Sequence, residues 1–222
     1  LSLFQEKESR DELGLGSVRD SFADQLFPGT STIQTRLRYM LFVPWIYHSL
    51  EEKRLPAESF SIQADKLERD LVQPLMDSDD QGGVFGKTAG MKLKRLPSSV
   101  YWAGLGIWGI RTTPFSQDEY HRRIDETYRR RNALKALEKD AKMRGDDIEV
   151  EQRIAALSWH PRLPEPPEDF PGVVNFALSR EEAEFIRDRI QVACGDSLLS
   201  FLVLHHVQDL KRRVHLKRLP RS

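Results

Sequence analysis

Read for the spacing of its apolar side chains, the chain is a succession of helices. Val18, Phe22 and Leu26 recur at helical spacing, and Ser17 with Asp20 three residues on resembles a capping box. A helix is therefore expected from Ser17 to Phe27, after a short one over 3–10. Phe27-Pro28-Gly29 ends it, since proline disfavours helix in the residue before it and glycine opens a turn. Thr30, Ser31 and Thr32 then offer three caps for a helix running to about Arg54. Along it Ile33, Leu37, Met40, Leu41, Tyr47 and Leu50 suit one broad face, while Phe42, Trp45 and Ile46 fill most of the other. A helix apolar nearly all round belongs in a core. Pro44, which lacks a donor, is expected to kink it near Met40. An amphipathic helix follows over 57–76 through Phe60, Ala64, Leu67 and Leu71.

Asp77 to Gly90 reads as a glycine-rich loop. Pro97-Ser98-Ser99 starts the next helical segment, with Val100, Tyr101, Leu105 and Trp108 as its packing side. Gly104, Gly106 and Gly109 weaken a long helix there, so tight turns close to their neighbours are expected. Ser116 with Glu119 forms a second capping box, opening a basic helix to about Arg144 that Gly145 closes; at 1.5 Å per residue it is roughly 40 Å long. An acidic patch and a short helical stretch end near Trp159. HPRLPEPPEDFPG, His160 to Gly172, is a proline-rich connector and the expected domain boundary. Beyond it Ser179 with Glu182 caps a helix to about Ala193, and Asp196 or Ser197 opens an apolar one to about Leu210.

The expected fold is all-α, built around the buried, Pro-kinked central helix. A helical core domain covers 1–159 and includes the long basic helix. A connector covers 160–172, and a C-terminal helical segment covers 173–222. The chain opens at Leu1-Ser2-Leu3-Phe4 in mid-helix by its pattern and closes on a basic run at Arg221-Ser222, so it is expected to be part of a longer polypeptide.

Composition narrows the class. A chain of 222 residues, 39% hydrophobic and 31% charged, can bury one good core and is not a disordered protein. Its longest apolar run, Met40 to Tyr47, is too short to span a bilayer, and no secretory leader is expected before it, so a cytoplasmic protein without a membrane partner is expected. Cys194 stands alone, which excludes a disulfide framework and a thiolate metal cluster; a small buried thiol is favoured over a nucleophile. Net zero charge conceals blocks: residues 1–80 carry 9 basic and 15 acidic side chains, 81–144 carry 14 and 6, 145–200 carry 5 and 12, and 201–222 carry 6 and 1. Such alternation suits a protein that docks its own segments or an assembly partner, and equally a nucleic-acid binder with one basic face.

Candidate chemistry is sparse. Free amides at a helix start attract anions, so Thr30, Ser31 and Thr32, with Arg36 or Arg38 reaching back, form a candidate anion site; capping of those amides by the hydroxyls themselves is the preferred reading. GVFGKTAG resembles a phosphate loop, but Gly82 lies one residue too near Gly86 and Gln81 holds the required position, which argues against nucleotide binding by Lys87 and Thr88. His205 and His206 are adjacent and point about 100° apart on a helix, and His121 with Asp125 shares a face with nothing else, so no metal and no cofactor is expected. His215-Leu216-Lys217 lacks the aspartate that an HxK nuclease motif requires, for Ser222 stands there.

On the basic helix, Asp118–Arg122, Glu119–Arg123, Asp125–Arg129, Glu126–Arg130 and Asp140–Arg144 stand four apart, acid first, and are expected to neutralise one another at about 0.2–0.5 kcal/mol each. Arg131, Lys135 and Lys139 have no acid four residues before them and form a self-repelling row that needs acidic protein or nucleic-acid phosphates against it. Lys94 and Arg95 complete the candidate contacts, and the tail cations Lys211, Arg212, Arg213, Lys217 and Arg218 are a second phosphate candidate.

Two stretches, RDELGLGSVRDSFADQLFPGTSTIQTRLRYMLFVPWIY (Arg10–Tyr47) and LKRLPSSVYWAGLGIWGIR (Leu93–Arg111), together resemble an uncharacterised bacterial family, the domain of unknown function numbered six-three-six-one. The resemblance implies a setting among bacterial defence or mobile-element genes and carries no catalytic residue over. The functional expectation is a non-catalytic component of a bacterial anti-phage defence assembly. It would touch other proteins of the same gene cluster and nucleic-acid phosphates. The alternative is a nucleic-acid- or nucleotide-processing enzyme whose site is not recognisable from sequence.

Overall fold

The apolar run from Tyr39 to Tyr47 organises everything around it. A computed structural model of the protein describes residues 15–144 and 156–205. The expectations over 3–10, Gly145 and the tail, His206 and His215 included, lie outside the described residues. The fold is all-α. Its helices are α1 (Leu15–Leu26), α2 (Tyr39–Glu52), α3 (Ala57–Asp70), α4 (Val72–Met76), α5 (Pro97–Ile107), α6 (Gln117–Arg122), α7 (Ile124–Arg144) and α8 (Arg180–Cys194), with a 3₁₀ turn at Gly90–Lys92 and helical residues 198–205. No strand occurs among the described residues, only an isolated antiparallel bridge between Arg111 and Trp159.

α2 is buried on every side. Tyr39, Met40, Leu41, Phe42, Val43, Trp45, Ile46 and Tyr47 are each at most 2% exposed. Phe60 and Ala64 of α3, Tyr101 and Leu105 of α5, Tyr120 of α6 and Ile124 of α7 join them in one cluster. Each such side chain withdrawn from water contributes about 1.5–3 kcal/mol. The proline-rich stretch 160–172 runs along this helix. Trp45 donates its Nε1 proton to Pro164 O at 2.6 Å, and Phe170 stacks on Phe42 with centroids 5.9 Å apart. Phe185, Ile186, Ile190 and Cys194 of α8 belong to the same cluster.

The start of α2 corrects the expectation. The helix begins at Tyr39 rather than Thr32, and no side chain caps it. The amides of Thr35 and Arg36 are instead taken by the Tyr101 hydroxyl from α5, at 2.9 and 3.0 Å, which in turn donates to Arg36 O at 2.8 Å. The amides that open α2, those of Tyr39, Met40 and Leu41, go to the carbonyls of Arg36, Leu37 and Arg38, while the hydroxyl supplied across the core holds the irregular segment before them. Gly104 makes room for that segment: a Cβ there would lie 2.3 Å from Gly29 O and 2.8 Å from Met40 Cε. α5 is an unbroken helix over Pro97–Ile107 despite its glycines, because close packing needs their small size and not a bend.

Two expected single helices are each divided. The 57–76 helix breaks at Leu71, where Pro74 can neither donate to Asp70 O nor avoid its carbonyl. The 116–144 helix breaks at Arg123, which has φ −100° and ψ 9°. Two of the three expected capping boxes form, Ser116 with Glu119 and Ser179 with Glu182, whereas Ser17 lies inside α1 (Leu15–Leu26) and is not its cap.

Candidate functional site

The end of α2 and the middle of α7 enclose a buried carboxylate. Glu51 is 3% exposed and accepts from the Tyr120 hydroxyl on Oε1 and from Arg131 Nη2 at 2.6 Å on Oε2. Arg131 also donates to Ser158 Oγ and Ala156 O, both at 2.9 Å, so it ties α2 and α7 to the segment before Trp159. Burial first, and the Glu51 charge second, raise Tyr120 well above the ordinary phenol value, which keeps it a donor.

Over this pair opens a cleft of about 430 Å³ lined by Trp45, His48, Lys135, Trp159, His160 and Pro164 among others. A second recess of about 240 Å³ shares His48, Glu52, Arg131 and Lys135 with it and adds Arg54 and Tyr128. At one wall His160 is held down to about 4, first by burial and then by Arg189 and Arg162. Arg189 Nη1 lies 3.1 Å from its Nε2, so His160 stays neutral beside two guanidinium groups.

The residues singled out in the sequence separate into two groups. Thr30 donates its hydroxyl to Phe27 O at 2.8 Å, Ser31 Oγ accepts weakly from Ile33 N at 3.5 Å, and Thr32 is exposed. None of the three caps α2. Arg36 bridges to Asp80 at 2.7 Å and to Gly82 O, which pins the glycine-rich loop against the segment before α2. Arg38 is 7% exposed, bound to Glu182 at 2.7 Å and to Asn175 at 2.9 Å, and so joins α2 to α8. Lys94, Arg95, Lys135 and Lys139 are exposed. Of the row on α7, Arg131 is thus ion-paired within the protein, whereas neither Lys135 nor Lys139 has an acid within 4.0 Å among the described residues.

The expected neutralisation along the basic helix is corrected for four of its five pairs, while the Arg144 side chain of the fifth, Asp140–Arg144, lies outside the described residues. Among the described residues Asp118–Arg122, Glu119–Arg123, Asp125–Arg129 and Glu126–Arg130 do not close to 4.0 Å. Two of the acids are engaged elsewhere: Glu119 closes the Ser116 capping box, and Asp125 accepts from Ala57 N at 3.3 Å. Arg123 lies over the Phe115 ring, 4.9 Å from its centroid. Arg129 and Arg130 are therefore exposed, with no acid within 4.0 Å among the described residues.

A second correction concerns α1. Val18, Phe22 and Leu26 recur at helical spacing within the expected core domain, yet no residue of α1 is buried. Leu15 is 63% exposed, Val18 51%, Phe22 60% and Leu26 42%, one apolar stripe at i, i+3, i+7 and i+11. The chain leaves the core at Pro28, whose carbonyl accepts from Trp108 Nε1 at 2.9 Å.

A further buried carboxylate, Glu68 of α3, is 1% exposed. Its Oε2 accepts from Ser98 N at 2.7 Å, and its Oε1 has no partner among the described residues. Burial, with a smaller push from Asp65, raises it to about 7 against the pull of Ser98. Beside it Gln117 Nε2 donates to both the Tyr47 hydroxyl and Ser98 Oγ at 2.8 Å. Glu51, Glu68, Tyr120 and Arg54 were all missed in the sequence. The available signal was position: Glu51 stands four residues after Tyr47, on a face assigned to the core, where a carboxylate demands a partner.

Among the described residues no helix is long and apolar enough to cross a membrane, and no three of His, Cys, Asp and Glu stand together to hold a metal ion. Fold and site together define an all-helical protein wrapped round one buried helix, with a cleft of mixed charge at that helix's end. The chain belongs to the family of unknown function DUF6361, whose family model matches residues 1–208. No curated protein and no solved structure matches it.

Proposed function

We propose that the protein is a non-catalytic component of a larger bacterial assembly of the anti-phage defence type, docking on a partner protein through α1. The exposed stripe of Leu15, Val18, Phe22 and Leu26 carries this reading. A helix of 12 residues is marginal by itself in water, and anchors at i, i+3 and i+7 are those a helix uses to lie in a partner's groove. The resemblance of Arg10–Tyr47 and Leu93–Arg111 is the support for the defence setting. Phe22→Asp, on a helix without buried residues, is expected to leave the thermal midpoint within about 2 °C of wild type. It is expected to strip from protein purified out of the native host the partner that wild type retains. Identical co-purifying proteins with both variants would refute the reading.

The exposed cations Arg129, Arg130 and Lys139 favour nucleic-acid phosphates as a second contact. Duplex binding would then weaken linearly on a log–log plot against salt, with a slope close to the number of phosphates neutralised. Flat salt dependence, or no binding in dilute salt, leaves the partner-protein contact alone.

A further inference from the structure

We propose that the cleft between the end of α2, α7 and residues 157–166 binds a small phosphomonoester carrying a flat or apolar organic group. The site is separate from α1 and stands whether or not α1 docks on a partner. Its volume, about 430 Å³ with the adjoining recess of about 240 Å³, falls in the range of roughly 300–1,000 Å³ that small-molecule sites occupy.

The charges of the cleft are unevenly engaged. Glu51, the acid at its floor, is buried with both oxygens bound, to Tyr120 and Arg131. Glu52 and Glu165 sit at the rim, exposed. The cations keep donors in reserve. Arg131 uses Nε and Nη2 in its three bonds, and Nη1 takes part in none of them. Lys135 has no acid within 4.0 Å among the described residues. His48, a cation only when protonated, has among the described residues only Glu52 as an acid partner, 3.8 Å away.

Arg54 is the most telling residue. It is the sole non-glycine with positive φ, +53°, among the described residues. It follows the last turn of α2, with Arg54 N bonded to Glu51 O at 3.0 Å and Leu55 N to Leu50 O at 3.3 Å. That pair of bonds makes a helix-terminating turn in which glycine is the unstrained choice. An arginine held there against its backbone preference sets a guanidinium on the cleft rim, fixed to Asn132 Oδ1 at 2.7 Å beside Lys135. Held there, the guanidinium lines the open recess and offers an anion its charge.

The other wall suits the organic part. Pro161, Leu163 and Pro166 offer open apolar surface, Trp45 and Trp159 show only 2% and 3% of theirs, and the buried indole N–H of Trp159 has no acceptor among the described residues. Phosphate oxygens would be taken at the Arg54–Lys135 side and a flat group against the proline and leucine side.

The test is titration calorimetry of the full chain with AMP and phenyl phosphate, and with adenosine as the ligand lacking phosphate, followed also by tryptophan emission. AMP or phenyl phosphate is expected to bind, with adenosine at least about tenfold weaker. Lys135→Gln, an exposed substitution, is expected to weaken binding about tenfold or more, and Arg54→Gln likewise, while Lys66→Gln outside the cleft leaves it unchanged. Failure of both phosphomonoesters to bind at millimolar concentration, equal affinity for adenosine, or affinity unchanged by Lys135→Gln overturns the proposal.

Discussion

Replacing Arg131 by methionine is expected to cost about 3–5 kcal/mol of folding stability, because it leaves a buried carboxylate without its counter-charge. Glu51 has a side chain 1% exposed, and Arg131 supplies its only ion pair among the described residues, at 2.6 Å, along with the links to Ser158 and Ala156. Methionine keeps much of the stem's volume, so lost packing is a minor part of the expected loss. Tyr120 would remain the lone donor to Glu51. Adding Glu51→Gln to the variant removes the stranded charge and is expected to recover a large part of the stability. Urea unfolding at pH 7 measures both. A loss below about 1 kcal/mol for Arg131→Met, the size of an exposed ion pair, would mean that the pair is a surface contact and not a tie between α2 and α7.

The second large effect is a pH dependence set by Glu68. Its carboxyl sits at about 7 in the folded chain, chiefly through burial, against the usual carboxylate value of 4.5. Between those values the folded state holds a proton that the unfolded state has released. The stabilisation is therefore fully present below pH 4.5 and is lost as pH rises through 7. At 1.36 kcal/mol per unit it is worth about 3 kcal/mol. Two histidines act in the opposite sense, since burial lowers His121 and lowers His160 to about 4, so that acid favours their unfolded, charged forms. The wild-type curve is thus a composite, and the difference from Glu68→Gln isolates the carboxyl. Glutamine can still accept from Ser98 N and cannot ionise. Relative to wild type, Glu68→Gln is expected to gain about 3 kcal/mol between pH 4.5 and pH 7.5 in urea unfolding. A constant difference across that range would show that Glu68 titrates like an exposed carboxylate.

The helical fold, the buried α2 and two of the capping boxes were legible because each rests on short-range pattern. An apolar surface repeated on every side of α2 has only one stable place, and Ser116 with Glu119 satisfies amides three residues away. The candidate cations were legible as residue types but not as partners. Arg38 and Arg131 looked available in the sequence because their acids, Glu182 and Glu51, lie 144 and 80 residues distant along the chain. Conversely Arg129 and Arg130 looked neutralised, since nothing local reveals that Asp125 turns to the amide of Ala57.

By itself, then, the sequence determined the class of fold, the identity of the central helix and the helix starts that carry their own caps. All of these follow from spacing within a few turns. Only the tertiary structure decided where α2 begins, which charges remain free and which stripe stays in water. The Tyr101 hydroxyl that holds the segment before α2, the carbonyl of Gly29 lying against Gly104, and the acid that claims each of Arg38 and Arg131 are contacts between distant segments. Local periodicity contains no term for them.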